Sequence, residues 1–305
     1  MFSLQNDMNF YQADEVISSG KFGPVWVGRN TKTQQKVIIK QYSQNHTDLA
    51  FKLSSISHPV LQTGEIAYMN SSVYIVRNFV EGSNLKIILT KRKNWKTVPL
   101  DFWIKGFIRI LDGLEFLHKN GVVHRDIKPS NIVLGHGDEP VKEWDPANIR
   151  LIDFEQALML PPDDAEQRSP FALGYAPPEQ LLNRNHLTGP WSDIFSLGTT
   201  LYEVLCRDKA FMFHDPEMML HIQLNLPVLN NGSIDDDLFK IIEKATQKEA
   251  FRLPPSRLPI AEIDTAIQVG IRKRYATASE FAADLQAWLD THPTTKKTGW
   301  KKWFF

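Results

Sequence analysis

One cysteine, Cys206, stands among 305 residues, which excludes an intrachain disulfide and a zinc site built from cysteines. It lies in the apolar stretch Leu201-Tyr202-Glu203-Val204-Leu205-Cys206, where a buried structural thiol is the expectation and a reactive one the alternative. Net charge is missing too. The 35 Lys and Arg balance the 35 Asp and Glu, so no overall basic field draws the chain to nucleic acid. No apolar run reaches membrane-spanning length, and no internal repeat marks a solenoid. Met1 to Phe10 lacks a charged segment followed by an apolar core, so no signal peptide is expected and the chain is read as cytoplasmic. What is present is ordinary for a globular protein: 42% hydrophobic and 23% charged residues, with length enough for one large domain or two lobes with real cores.

The first eighty or so residues carry short β-branched and aromatic runs: Glu15-Val16-Ile17, Val25-Trp26-Val27, Lys36-Val37-Ile38-Ile39-Lys40 and Ser72-Val73-Tyr74-Ile75-Val76. Gly, Asn, Gln and Thr separate them, the pattern of a strand-rich unit. From about residue 100 the period changes. Trp103, Ile104, Phe107, Ile108, Leu111, Leu114 and His118 recur at three-to-four spacing, a helical stripe that Gly121 would end. Trp191 to Leu205 is apolar on several faces, which predicts a helix buried in a lobe centre. Thr277-Ala278-Ser279-Glu280 has capping-box spacing ahead of the stripe Phe281, Leu285, Leu289. Pro161 to Pro170 is polar and bracketed by prolines, hence a loop. The fold class is therefore α+β, with a small β lobe followed by a larger helical one.

Chemistry concentrates in His124-Arg125-Asp126-Ile127-Lys128-Pro129-Ser130-Asn131. A carboxylate, a cation and an amide oxygen in one short turn are what phosphoryl transfer needs: one orients a hydroxyl, one neutralises phosphate, one ligates Mg²⁺. An Asp-rich surface turn is the bland alternative. The run resembles the catalytic loop of protein kinases, and Lys128, two residues after Asp126, resembles the Ser/Thr-kinase form.

Further motifs follow in that family's order. Ile17-Ser18-Ser19-Gly20-Lys21-Phe22-Gly23-Pro24-Val25 resembles the glycine-rich loop over ATP phosphates, with Ser18 at the first glycine position; a plain hairpin turn fits it equally. Val37-Ile38-Ile39-Lys40 resembles the strand whose Lys pairs the α- and β-phosphates, against the alternative of a solvated strand-end lysine. Leu151-Ile152-Asp153-Phe154-Glu155 resembles the strand and metal-binding D-F-G. Gly174-Tyr175-Ala176-Pro177-Pro178-Glu179 resembles the end of an activation segment, whose Glu the family pairs with a downstream Arg; Arg274 is the match. Asp193-Ile194-Phe195-Ser196-Leu197-Gly198 resembles the buried helix whose Asp braces the catalytic loop. From about residue 11 to 290 the chain is thus similar to eukaryotic-like Ser/Thr protein kinases of bacterial type.

The resemblance implies a bilobal protein-kinase-like domain over residues 1–290, with a small antiparallel β lobe at about 11–82, a large lobe at about 83–290, and a basic, aromatic tail at 291–305. It implies ATP and Mg²⁺ as cofactors and protein substrates as partners, with Ser or Thr hydroxyls as acceptors. Asp126, Lys128 and Lys40 would be catalytic; Asn131 and Asp153 would hold the metal. Ile17, Gly20, Gly23, Val25, Lys40, Phe79, Val80 and Val133 would form the nucleotide site. In it Val25 and Val133 would enclose adenine, while Phe79 and Val80 would offer backbone groups. The tail, from Lys296 to Phe305, mixes cations with aromatics and suits a membrane surface or a partner groove, or else a frayed terminus.

The departures lie around the nucleotide. Glu155 replaces the Gly of D-F-G, where a strained backbone would cost about 1–2 kcal/mol. Seventeen residues separate Lys40 from His58-Pro59, fewer than the family usually has. Leu49 then falls where the regulatory helix carries its Glu, with Asp48 one residue off. Ile38 replaces a small residue facing adenine. Arg77 occupies the gatekeeper position, with Glu155 or Asp48 as the expected partner, since Arg is rarely buried unpaired. Ala172 stands where a Thr is usual, and Ser169 is the one Ser or Thr between Asp153 and Glu179. Arg125 would receive a phosphate placed there; Asp163, Asp164 and Glu166 offer permanent charge instead. An active kinase and a pseudokinase scaffold share this fold. A small-molecule phosphotransferase is disfavoured by the activation-segment and buried-helix motifs.

Overall fold

Alternation of apolar and polar residues turns the N-terminal third into a sheet with two unlike faces. The computed structural model describes residues 10–20, 23–42, 47–62, 64–69, 72–91, 97–135, 139–162 and 170–292. The tail beyond 292, residues 21–22 of the glycine-rich run and 163–169 of the activation segment, with Ser169, lie outside them. Strands β1 (Tyr11–Gly20), β2 (Gly23–Asn30) and β3 (Lys36–Tyr42) precede helix α1 (Thr47–Ser55), which is followed by β4 (Gly64–Met69) and β5 (Ser72–Asn78). The five strands form one antiparallel sheet in the order β1-β2-β3-β5-β4.

Register assigns the faces. Lys40 lies opposite Ile75 and Val25, and Ile38 opposite Arg77 and Val27. These residues share the face toward the cleft, because side chains repeat every second residue. Their neighbours Val37, Ile39, Tyr74 and Val76 pack with Ala67 on the other face under Tyr11 and Trp26. On the cleft side, Val73, Ile75 and Ile66 join Leu49, Ala50 and Leu53 of α1 in the main core.

The larger lobe begins with β6 (Ser83–Asn84), α2 (Leu85–Lys91) and α3 (Leu100–Lys119). Trp103, Ile104, Phe107, Ile110, Leu111, Leu114 and Leu117 of α3 are buried, whereas Ile108 of the expected stripe is only partly so. Burying side chains of this size stabilises by about 1.5–3 kcal/mol each. Gly121, at φ +73°, ends α3 by returning its amide to the His118 carbonyl (2.8 Å), a left-handed turn that costs glycine least. Short strands β7 (Val122–Val123), β8 (Ile132–Leu134), β9 (Ile149–Leu151) and β10 (Leu158–Met159) follow. They pair as β6-β8-β9 and β7-β10. Helices α4 (Pro178–Leu181), α5 (Pro190–Cys206), α6 (Pro216–Asn225), α7 (Asp236–Ala245), α8 (Ile260–Lys273) and α9 (Ala278–Thr291) complete the lobe.

As its composition predicts, α5 is buried nearly throughout, Cys206 included. At α9 the Thr277 hydroxyl accepts the Glu280 amide (3.2 Å), while the Glu280 carboxylate reaches the Ala276 amide (2.9 Å), one residue before the usual box. The lobes are stitched together behind the cleft. Leu151 of β9 donates to the Val60 carbonyl (2.8 Å) and accepts from the Gln62 amide (3.0 Å). Among the described residues no helix is long and apolar enough to cross a membrane.

Candidate active site

Two loops bring the polar residues to the cleft: the turn between β7 and β8, and the segment after β9. The first is built round Asp126. Lys128 Nζ donates to both carboxylate oxygens (2.8 and 2.7 Å), and Asn131 Nδ2 donates to the Asp126 carbonyl and to its Oδ2 (both 2.8 Å). Pro129-Ser130-Asn131 turns as a short 3₁₀ segment with Pro at its start. The five-residue spacing thus closes on itself. Because its NH₂ group is engaged by Asp126, Asn131 offers its amide oxygen as a free-standing ligand, apart from a long 3.4 Å contact with Ser130 Oγ.

On the facing side, Lys40 Nζ meets Asp153 Oδ1 at 2.5 Å. Burial would raise the pKa of Asp153, but the Lys40 ammonium outweighs it and, with Arg77, holds the carboxyl below its ordinary value. The regulatory-helix partner sought for Lys40 is not remade with Asp48. Asp48 faces solvent, Leu49 is buried, and Asp153 takes the cation. The backbone cost expected at Glu155 also falls elsewhere. Left-handed φ angles occur at Asp153 (66°) and Arg125 (65°), and Glu155 is not among the positive-φ residues. Asp is one of the few side chains that tolerates that region. Arg77 meets the ring of Phe154, its guanidinium carbon 4.7 Å from the centroid. Of the two carboxylates expected to pair with it, Asp48 is excluded by its exposure.

Beneath both loops lies Asp193 of α5, fully buried. It accepts the amides of His124 (2.8 Å) and Arg125 (2.9 Å) and the Nε2 of His118 (2.8 Å). Burial raises its pKa, and the His118 contact with these amides more than reverses that. His124, buried and pushed below its usual value by desolvation, sits within the fields of Asp193, Asp126 and Asp153 together. Its Nε2 lies 3.1 Å from the Ile152 carbonyl, and its ring is 4.7 Å from Phe154. Arg125 is buried against Asn185 (3.1 Å), and its carbonyl accepts from Gln180 (2.9 Å).

The remaining residues named for the nucleotide lie on β1, β2 and β8 and in the segment after β5. Ile17 is 49% exposed on β1, and Gly20 and Gly23 face each other across the hairpin mouth. Val25 shares the face of Lys40, and Val133 is buried on β8. Phe79 and Val80 follow β5, half-buried. The Phe79 amide already donates to the Lys36 carbonyl (3.1 Å), and the Asn78 carbonyl accepts from Gln62 Nε2 (2.9 Å). Among the described residues no group of three or more His, Cys, Asp or Glu is disposed to hold a metal. A pair of oxygen donors, Asp153 and Asn131, fits Mg²⁺, which keeps most of its shell in water and substrate phosphate.

Glu179 and Arg274 form the pair that their motifs predict, at 2.7 and 3.2 Å, with both side chains wholly buried. Ser192 Oγ donates to Glu179, and Arg274 Nε to the Gln247 carbonyl. Three polar residues escaped the sequence reading: His118, read only as part of a stripe; Gln180; and Gln223. Gln223 is fully buried, accepting the Gly174 amide (2.8 Å) and donating to the Ala176 carbonyl (2.7 Å). A polar residue inside the apolar run of α6 was the only signal.

Lys248 is a consequence of the same cluster. Its Nζ is buried without a hydrogen-bond partner, 4.2 Å from the Phe211 ring and 5.7 Å from Phe195. Desolvation, with Arg274 adding repulsion, pushes its pKa down to about 7 from 10.5. Between those values the unfolded chain binds the extra proton, so stability rises with pH from about 7 upward, by at most about 1.4 kcal/mol per unit. Lys248→Met is expected to flatten that rise and to be more stable than the parent at pH 7, read as urea midpoints across pH 6 to 10.

Comparison with known proteins agrees with this geometry. A family model described as the protein kinase domain matches residues 11–261. Serine/threonine-protein kinase D2 of Rattus norvegicus is 27% identical, covering 94% of the chain and 31% of the relative. Serine/threonine-protein kinase D3 of Homo sapiens gives the same figures. The protein named "Probable serine/threonine-protein kinase 2" of Plasmodium falciparum is 30% identical over 71% of the chain and 43% of its own length. The chain spans about a third of the length of the first of these relatives.

Proposed function

The chain belongs to the protein kinase family, and on that premise we propose that it transfers the γ-phosphoryl group of ATP to Ser or Thr hydroxyls of protein substrates. The observation that carries this is the carboxylate of Asp126, gripped by Lys128 and Asn131 within 2.8 Å and facing a Lys40–Asp153 pair across the cleft. Bound Mg²⁺ would neutralise phosphate charge. Asp153 and the Asn131 amide oxygen are its ligands in this reading.

Asp126 orients the acceptor hydroxyl and takes its proton on a carboxylate oxygen. Lys128, now bonded to that carboxylate, stands where transferred charge needs a cation. Lys40, held by Asp153, is placed for the α- and β-phosphates. The amides near Gly20 and Gly23 cover the phosphates, Ile17, Val25 and Val133 enclose the base, and hinge bonds fall to Val80 and the Phe79 carbonyl, because the Phe79 amide is engaged. The bacterial-type placement and a cytoplasmic location are parts of the same proposal, carried by the motif series and by composition.

Label from γ-labelled ATP should appear on the chain or on a generic basic protein acceptor. No transfer, together with nucleotide-induced thermal stabilisation, would instead support the scaffold reading, which Arg77, Ile38 and the missing helix carboxylate favour. Absence of both would reject the nucleotide site.

Acceptor binding is tested separately at Gln223, which pins the Gly174–Ala176 segment. Gln223→Ala leaves two backbone groups unpaired, a loss of about 1–3 kcal/mol. It is expected to raise KM for a protein acceptor severalfold while KM for ATP stays put. Steady-state kinetics with each substrate varied in turn decides this.

A further inference from the structure

Arg77 is an arginine with 4% exposure at the inner end of β5, and the fold makes room for it. Gly64 lies directly across in β4. A Cβ on Gly64 would stand 2.7 Å from Arg77 Cγ and 2.6 Å from the Val76 carbonyl oxygen, so a side chain there and Arg77 in its present seat are incompatible. Nη1 of Arg77 is buried without a hydrogen-bond partner. Beside it is a cavity of about 10 Å³ lined by Leu53, Gln62, Gly64, Ile75 and Phe154 among others, room for about one water. A buried guanidinium so placed needs compensation, and the Phe154 face at 4.7 Å supplies part of it.

Phe154 rests in turn on His124, whose amide is held by Asp193. Gly64, Arg77, Phe154, His124 and Asp193 form one column from the small-lobe sheet to the buried helix of the large lobe. We propose that Arg77 is a positioning residue: its guanidinium anchors Phe154 from the small lobe and so keeps Asp153, one residue earlier, in the left-handed conformation that presents its carboxylate to Lys40. In α1 the single carboxylate, Asp48, points to solvent, so that helix supplies no such link. The catalytic consequence rests on the phosphotransferase reading; the anchoring is a property of the nucleotide-free chain.

Amide hydrogen exchange of the segment 149–159 tests the anchor without nucleotide. Arg77→Met keeps length and apolar bulk but loses the cation, and exchange there is expected about tenfold faster, with other segments unchanged. Arg77→Lys is expected to restore most of the protection. In turnover, Arg77→Met should lower kcat about tenfold with KM for ATP nearly constant, and Arg77→Lys should recover it. Parental exchange in Arg77→Met, or equal loosening in Arg77→Met and Arg77→Lys, would overturn the proposal. Should Arg77→Met fail to fold, Gly64→Ala leaves the charge but displaces its stem; unchanged exchange at 149–159 in that variant overturns it equally. If exchange follows the pattern but no form transfers phosphate, the anchor stands and the phosphotransferase reading falls.

Discussion

Asp126→Asn is expected to abolish phosphoryl transfer while leaving nucleotide-induced thermal stabilisation in place. The substitution keeps size and shape, so the turn can still close. It removes the negative charge that Lys128 grips through both oxygens and that Asn131 contacts at Oδ2. It also removes the only group in this turn placed to take a proton from a hydroxyl. General-base loss of this kind costs about 10²–10⁴-fold in rate. Lys40 and Asp153 lie on a different segment and are untouched, so stabilisation by ATP with Mg²⁺ should persist. Asp153→Ala differs in kind. It removes the proposed metal donor and the partner of Lys40 together, and both transfer and metal-dependent stabilisation should go. Radiolabel transfer beside thermal shifts, with and without Mg²⁺, separates the two variants. Label surviving both substitutions would show that the signal comes from another enzyme.

The second large effect lies away from the chemistry. Arg274→Ala or Glu179→Ala breaks an ion pair whose two side chains have no exposure. Each leaves the opposite charge stranded, a cost of about 3–5 kcal/mol. In a domain of this size each kcal/mol lowers Tm by about 2–4 °C, so a fall of about 6–20 °C is expected by calorimetry. The partners make the loss worse. Glu179 also accepts Ser192 Oγ, and Arg274 also holds the Gln247 carbonyl, so one truncation orphans several groups. The exposed pair Lys240–Asp237 at 2.9 Å is the internal contrast. Breaking it should cost under about 1 kcal/mol. Replacing both Glu179 and Arg274 by apolar residues of similar volume should recover much of the single-variant loss. A double variant as unstable as the sum of the singles would mean the pair has no coupling.

Much of the site was legible because its parts are local. Asp126, Lys128 and Asn131 are within five residues of one another, and a proline-led turn needs no distant element to bring them together. Asp153 closes a short apolar strand, and Glu179 follows a proline-rich turn. The helical stripes of α3 and α9 and the buried character of α5 were legible for the same reason, since their periods are properties of consecutive residues. Partners across the fold were not. The Asp48 expectation for Lys40 came from counting back along the chain, but helix rotation turns Asp48 outward and brings in Leu49. The strain assigned to Glu155 moved to Asp153, because the turn that aims the carboxylate at Lys40 lies two residues earlier than the motif's glycine position. Gln223 and His118 gave only the weak sign of a polar group among apolar neighbours. Lys248 gave none, because its low pKa comes from burial among side chains distant in sequence and from the Arg274 charge beside it.

The amino-acid sequence by itself determined the family, the order of the two lobes and which residues are proposed for phosphoryl transfer, because these are written in short spacings and local periodicity. Only the tertiary structure decided that Lys40 bonds an aspartate 113 residues away and that Arg77 rests on Phe154 in space left by Gly64. Burial and charge compensation depend on neighbours in space, and spacing along the chain does not specify them.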